Sequence, residues 1–106
     1  MYTIKDLIEL IKANNPIADT TLVELAYDFA AKAHSGQKRL DGTDYIQHSL
    51  ETAYTLAKLK LDLDTIMAGL LHDVPEDTAI TIEEVEKNFG KDVAKLVRGI
   101  TKLGKI

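Results

Sequence analysis

His72-Asp73-Val74-Pro75-Glu76-Asp77 gathers one imidazole and three carboxylates into six residues, directly after the apolar run Ile66-Met67-Ala68-Gly69-Leu70-Leu71. Carboxylates emerging from a segment that must be buried are costly unless a positive charge compensates them. A divalent cation does so, and imidazole with carboxylate is a mixed donor set suited to Mn²⁺, Fe²⁺ or Zn²⁺. His48, upstream, would complete three protein ligands. The chain has no cysteine, so thiolate sites and disulfides are excluded and any metal must be held by His, Asp or Glu. His72 and Asp73 diverge by about 100° on a helix, yet both reach one ion beside the helix end. Glu76 and Asp77 follow the break at Pro75 and can fold back over that ion. A lone His-Asp dipeptide arises often by chance. Followed by Glu-Asp, with a second histidine upstream, it is far more specific.

The elements that must position these residues read as helices almost throughout. Thr3 with Asp6 has the form of a capping box, opening a helix through about Asn14 that Pro16 ends. Thr21 with Glu24 opens a second helix, with the stripe Val23, Ala26, Tyr27, Ala30 and His34. On that stripe His34 has a packing or hydrogen-bonding role. Gly36 stands where a left-handed C-cap would fall, and residues 36–44 lack periodicity and form a loop. A third helix is predicted from about Ile46 to Lys60, burying Leu50, Ala53, Tyr54 and Ala57. Asp62 or Asp64 caps a fourth, almost wholly apolar helix, which belongs at the centre of a bundle. Pro75 halts it just past the His-Asp pair. Thr81 with Glu84 opens a fifth helix ending at Gly90, and a sixth begins near Lys91. No segment alternates with period two for long enough to make a buried strand. The expected fold class is all-α, a bundle of about six helices.

The 106 residues (11.7 kDa) suit one domain, residues 1–106. The net charge of −4 is uneven. Lys91, Lys95, Arg98, Lys102 and Lys105 lie in the last sixteen residues against Asp92 alone, and the rest is strongly acidic. Basic charge confined to one segment argues against a nucleic-acid partner. The sixth helix is amphipathic, with those cations on one face and Val93, Leu96, Val97, Ile100 and Leu103 opposite; the lysine face is read as solvated. No apolar run approaches the roughly 20 residues that span a bilayer, so no membrane partner is expected. The N-terminus lacks the layout of a signal peptide. A cytoplasmic location is expected.

Three stretches then resemble a known family. His34-Ser35-Gly36-Gln37-Lys38-Arg39, Tyr45-Ile46-Gln47-His48 and Leu71-His72-Asp73-Val74-Pro75-Glu76-Asp77-Thr78 are similar, in order and spacing, to the motifs of the RelA/SpoT-type HD hydrolase domain. Thr101-Lys102-Leu103 is similar to a further stretch of it, so that the resemblance covers about residues 20–106. It implies an all-α HD fold, Mn²⁺ or another divalent metal as cofactor, and hydrolysis of (p)ppGpp at its 3′-pyrophosphate to GTP or GDP and pyrophosphate. It also implies that His48, His72 and Asp73 are metal ligands and that Glu76 and Asp77 orient or deprotonate the attacking water. Arg39, with Lys38 beside it, falls at the basic position that contacts the nucleotide. Long members of the family carry a (p)ppGpp synthetase domain after this one. The intact Glu76-Asp77 pair points to a hydrolase-competent lineage.

The chain also departs from the pattern. Asp41, Asp44 and Ser49 stand where the family usually has Ser, Pro and Pro. The family's fourth ligand, an Asp in a later Leu-Ala-Asp-Arg-type helix, and the Asn that follows it have no counterpart before Ile106. The expectation is therefore an HD domain incomplete at its C-terminus, weak or inactive as given, and prone to form a homodimer through the face the later helix would cover. Two other functions are left open: an HD phosphohydrolase of another nucleotide, and a catalytically inactive fragment.

Overall fold

The computed structural model describes residues 1–104, with side chains as far as Thr101. The side chains of Lys102 and Leu103, and Lys105 and Ile106 altogether, lie outside the described residues. Helices α1 (Ile4–Asn14), α2 (Thr20–Ala33), α3 (Tyr45–Lys58), α4 (Leu63–Leu71), α5 (Val74–Asp77), α6 (Ile82–Phe89) and α7 (Lys91–Gly104) follow in order. Besides helix, the described residues hold one isolated antiparallel bridge, between Lys38 and Asp44. The class is all-α.

Most helix starts follow from capping. At α1, Thr3 Oγ1 accepts from the Asp6 amide while Asp6 Oδ2 accepts from the Thr3 amide, which is the reciprocal box the sequence predicts. Asp62 caps α4 through the Thr65 amide, and Thr81 caps α6 through the Glu84 amide. At α2 the structure corrects the expectation. Asp19, not Thr21, accepts the orphan amide, because its carboxylate sits ahead of the hydroxyl and also answers the positive end of the helix dipole.

The larger correction concerns Pro75. Helix α4 stops at Leu71 and does not run past the His-Asp pair; a separate one-turn helix, α5, follows, and the described residues hold seven helices, in keeping with the expected bundle of about six. A proline removes the donor that would bond the carbonyl four residues earlier, and its ring crowds that carbonyl. Four residues before Pro75 is Leu71. Within the first turn of α5 the missing N–H costs nothing.

Helix α4 is the axis of the bundle. Ile66, Met67, Ala68, Gly69, Leu70 and Leu71 are all buried, with α2, α3 and α7 packed around them. Gly69 lets α3 come close: a Cβ there would stand 2.7 Å from Leu56 Cδ1 and 3.5 Å from the Ala53 backbone. Helix α7 closes the far side with Val93, Ala94 and Val97 buried, leaving Leu96 and Ile100 at the margin. Tyr54, expected in the core, lies at its edge and stacks on Tyr2. Replacing Gly69 by Val should therefore overpack the α3–α4 contact and destabilise the fold by about 1–3 kcal/mol. Urea unfolding of the two proteins measures this, and an unchanged midpoint would show that α3 does not depend on the approach.

Candidate metal centre

The α3–α4 contact brings two histidines together, their ring centroids 5.8 Å apart and their planes at 61°. His48 is on the first turn of α3, His72 caps the C-terminus of α4, and Asp73 stands before the first turn of α5. The donor atoms of His48, His72 and Asp73 all lie within 4.8 Å of one another. His72 Nε2 is 3.0 Å from Asp73 Oδ2, and His48 Nε2 is 3.7 Å from the same oxygen. His72 and Asp73 both keep αR backbone angles, and their side chains still reach one point beside the end of α4.

The tautomers suit a cation. His72 Nδ1 is 2.6 Å from the Gly69 carbonyl, which can only accept, so Nδ1 carries a proton and Nε2 is the nitrogen turned toward the cluster, free to ligate when unprotonated. Gly69 thus both admits α3 and orients a ligand. Burial holds the His48 pKa below its ordinary value, and the Arg39 charge pushes it the same way, favouring the neutral, ligating form. For His72 burial also pulls down, but the bonds it donates to the Asp73 carboxylate and the Gly69 carbonyl outweigh it and the pKa is raised. Asp73 is lowered: burial works against its charge, and the hydrogen bond and charge of His72, with His48 behind it, prevail. Two imidazole nitrogens and one carboxylate in partly buried positions fit a divalent cation of the Mn²⁺, Fe²⁺ or Zn²⁺ type.

Around this cluster stands a second set of polar contacts. Tyr45 donates its hydroxyl to Asp77 Oδ2 at 2.7 Å, and Gln37 Nε2 donates to the Asp77 carbonyl at 2.6 Å. Burial and the bond to Asp77 push the Tyr45 pKa well above the usual range, so the hydroxyl stays a donor. The Arg39 guanidinium lies 5.9 Å from the Tyr45 ring centre, and that ring meets His48 edge-on. Asp77 and Arg39 are therefore linked to the cluster through Tyr45. Glu76 is exposed on α5 beside Asp77. Lys38 is turned elsewhere, in a 2.8 Å ion pair with Asp44. Arg98 on α7 likewise meets Glu86 of α6, so the basic face is partly neutralised within the bundle.

Sequence reasoning gives His34 its role: it is buried and bonds Gln37. It does not find the contacts of Tyr45 and Gln37 with Asp77, which join residues 32 and 40 apart. The one available signal was a Gln and a Tyr flanking the Lys38–Asp44 turn, and that names no partner.

An all-α bundle with a His, His-Asp cluster where two helices meet defines a class. The HD domain family model matches residues 26–106, and the chain belongs to that family. The RelA/SpoT-type resemblance is borne out as well. The chain is 45% identical over its full length to the bifunctional (p)ppGpp synthase/hydrolase SpoT of Escherichia coli K12. It is 52% identical over 79% of its length to the guanosine-3′,5′-bis(diphosphate) 3′-pyrophosphohydrolase of Aquifex aeolicus. It spans 15% and 12% of those two proteins. A solved structure of a metazoan SpoT ortholog, described as hydrolysing ppGpp, superposes with a TM-score of 0.68 at 38% identity, covering 76% of this chain and 47% of that one. Among the described residues no helix is long and apolar enough to cross a membrane.

Two outcomes test the centre. His72→Ala or Asp73→Ala should weaken Mn²⁺ binding by tenfold or more in calorimetric titration, since each removes one of three donors; retention of affinity would remove the assignment. Metal affinity should also fall as pH falls through the raised His72 pKa, because the proton then competes for Nε2. The expected slope there is about tenfold per pH unit for one displaced proton. A flat affinity between pH 8 and pH 6 would show that His72 is not a ligand.

Proposed function

We propose that this chain is a hydrolase domain acting on (p)ppGpp, cleaving the 3′-diphosphate to release pyrophosphate and GTP or GDP. The observation that carries the reading is the His48–His72–Asp73 cluster with the acidic pair Glu76-Asp77 on the very next turn. The names of the relatives supply the substrate. We assign Mn²⁺ to the cluster and a cytoplasmic setting to the reaction, where its guanine nucleotide would be met.

Held by His48, His72 and Asp73, a divalent cation would supply Lewis acidity, making water easier to deprotonate and drawing charge from phosphoryl oxygens. The remaining work belongs to side chains. Glu76 and Asp77 orient a water and accept its proton, a contribution of roughly 10²–10⁴-fold. As the water oxygen bonds to the phosphorus on the ribose 3′ oxygen, the phosphorus–O3′ bond breaks and O3′ takes up a proton. Arg39 stacks on the guanine and lends fixed charge. Lys38 meets the substrate once it leaves Asp44.

Asp41 favours a second reading. Its carboxylate accepts from the Thr43 hydroxyl and amide at 2.7 and 3.0 Å, which lowers its pKa and keeps it charged beside Arg39. A fixed negative charge there opposes a polyanion, and suits an HD phosphohydrolase of a less charged nucleotide.

The test is pyrophosphate release from ppGpp by the Mn²⁺-loaded chain, and by a chimera carrying its residues in place of the matching 106 residues of E. coli SpoT. Glu76→Gln with Asp77→Asn should abolish turnover of the chimera and leave metal affinity of the chain within about twofold, because these acids act on water. Near wild-type turnover by the double variant would refute their role. Turnover of a mononucleotide but not ppGpp would select the second reading. No turnover by either protein, with metal bound, would mark the chain as catalytically inactive.

A further inference from the structure

We propose that His34, Gln37 and Tyr45 are positioning residues for Asp77, a built clamp that fixes the water-activating carboxylate of α5; this rests on the role given to Asp77 above. Helix α5 has four residues, and a helix so short has no stability of its own. Of its residues only Val74 is buried, and Asp77 is exposed. Left to itself, a carboxylate at the last position of such a turn would sample many orientations. Catalytic groups must be held to about 0.5 Å.

The hold comes from far along the chain. Asp77 is gripped at its side chain by the Tyr45 hydroxyl and at its backbone carbonyl by Gln37 Nε2. The grip leaves Asp77 Oδ1 to act on water. Each gripping residue is itself fixed. The Tyr45 ring stacks on His34 with centroids 4.6 Å apart and planes 16° off parallel, and the Tyr45 amide donates to the Gln37 carbonyl. His34 Nδ1 lies 2.9 Å from Gln37 Oε1. Since the Gln37 amide nitrogen faces the Asp77 carbonyl, its oxygen faces His34, and His34 Nδ1 must carry the proton.

That tautomer leaves His34 Nε2 buried with no partner, a desolvation cost that a phenylalanine in the same stack would not bear. Packing alone does not account for a histidine here. The bond that sets the Gln37 amide the right way round does.

The test has two parts. In the metal-free chain, ¹⁵N spectra should show His34 protonated at Nδ1 alone and slowly exchanging Gln37 side-chain protons, with the slow exchange lost in His34→Phe. An Nε2–H tautomer, or fast exchange in the wild type, would overturn the clamp whatever the activity. In the (p)ppGpp assay, on the chain or the chimera, Tyr45→Phe keeps the stack and removes the hydroxyl. It should lower kcat by about tenfold, equivalent to about 1.4 kcal/mol, with KM within about twofold. A loss in KM or in thermal midpoint without one in kcat would make Tyr45 merely structural. If Asp77→Asn alone keeps full turnover, the underlying role of Asp77 fails. If Asp77→Asn is inactive while Tyr45→Phe is fully active, the clamp alone fails.

Discussion

The burial of α4 is the constraint on which the rest depends. A helix apolar on every side cannot lie on a surface, so α2, α3 and α7 must surround it. Its C-terminal end, however, carries His72 and Asp73, and these cannot follow the leucines into the core. The bundle resolves this by ending the helix where the core ends. The candidate metal centre sits at the mouth of the most apolar element, where the donors are buried enough to shift one another's protonation.

Gly69 and Pro75 give that arrangement its geometry. Gly69 leaves room for the Leu56 side chain of α3, and its carbonyl accepts from His72 Nδ1. Pro75 lacks the N–H that would bond the Leu71 carbonyl, α4 ends at Leu71, and a separate turn carries Asp77. A glycine and a proline, each unfavourable in an ordinary helix, stand on either side of the cluster.

The departures from the family pattern have local consequences. Asp44 precedes α3 but gives it no side-chain cap, because its carboxylate is drawn to Lys38. Ser49 is fully buried with its hydroxyl unpartnered, at a position one residue from His48. Asp41 closes its own turn with Thr43. All three lie in or beside the segment that presents Arg39 and His48. The variation thus lies beside the segment that carries Arg39 and His48, while His48, His72 and Asp73 still come within 4.8 Å of one another.

The sequence alone determined the helical class, most caps and the central place of α4, and it singled out His48, His72 and Asp73, which the fold brings within 4.8 Å of one another. These are local signals: caps act within four residues, amphipathicity within two turns, and the His-Asp and Glu-Asp pairs are contiguous. It placed the end of α4 wrongly, because a proline's effect on the carbonyl four residues earlier competes with the pull of a continuing helix, and the winner depends on what the next turn can bind. Only the tertiary structure decided that the next turn binds Gln37 and Tyr45, and that Lys38 faces Asp44. The contacts of Gln37 and Tyr45 with Asp77 join residues 40 and 32 apart, the Lys38 pair depends on how its turn closes, and no pattern in composition or period encodes which polar side chain will find which partner.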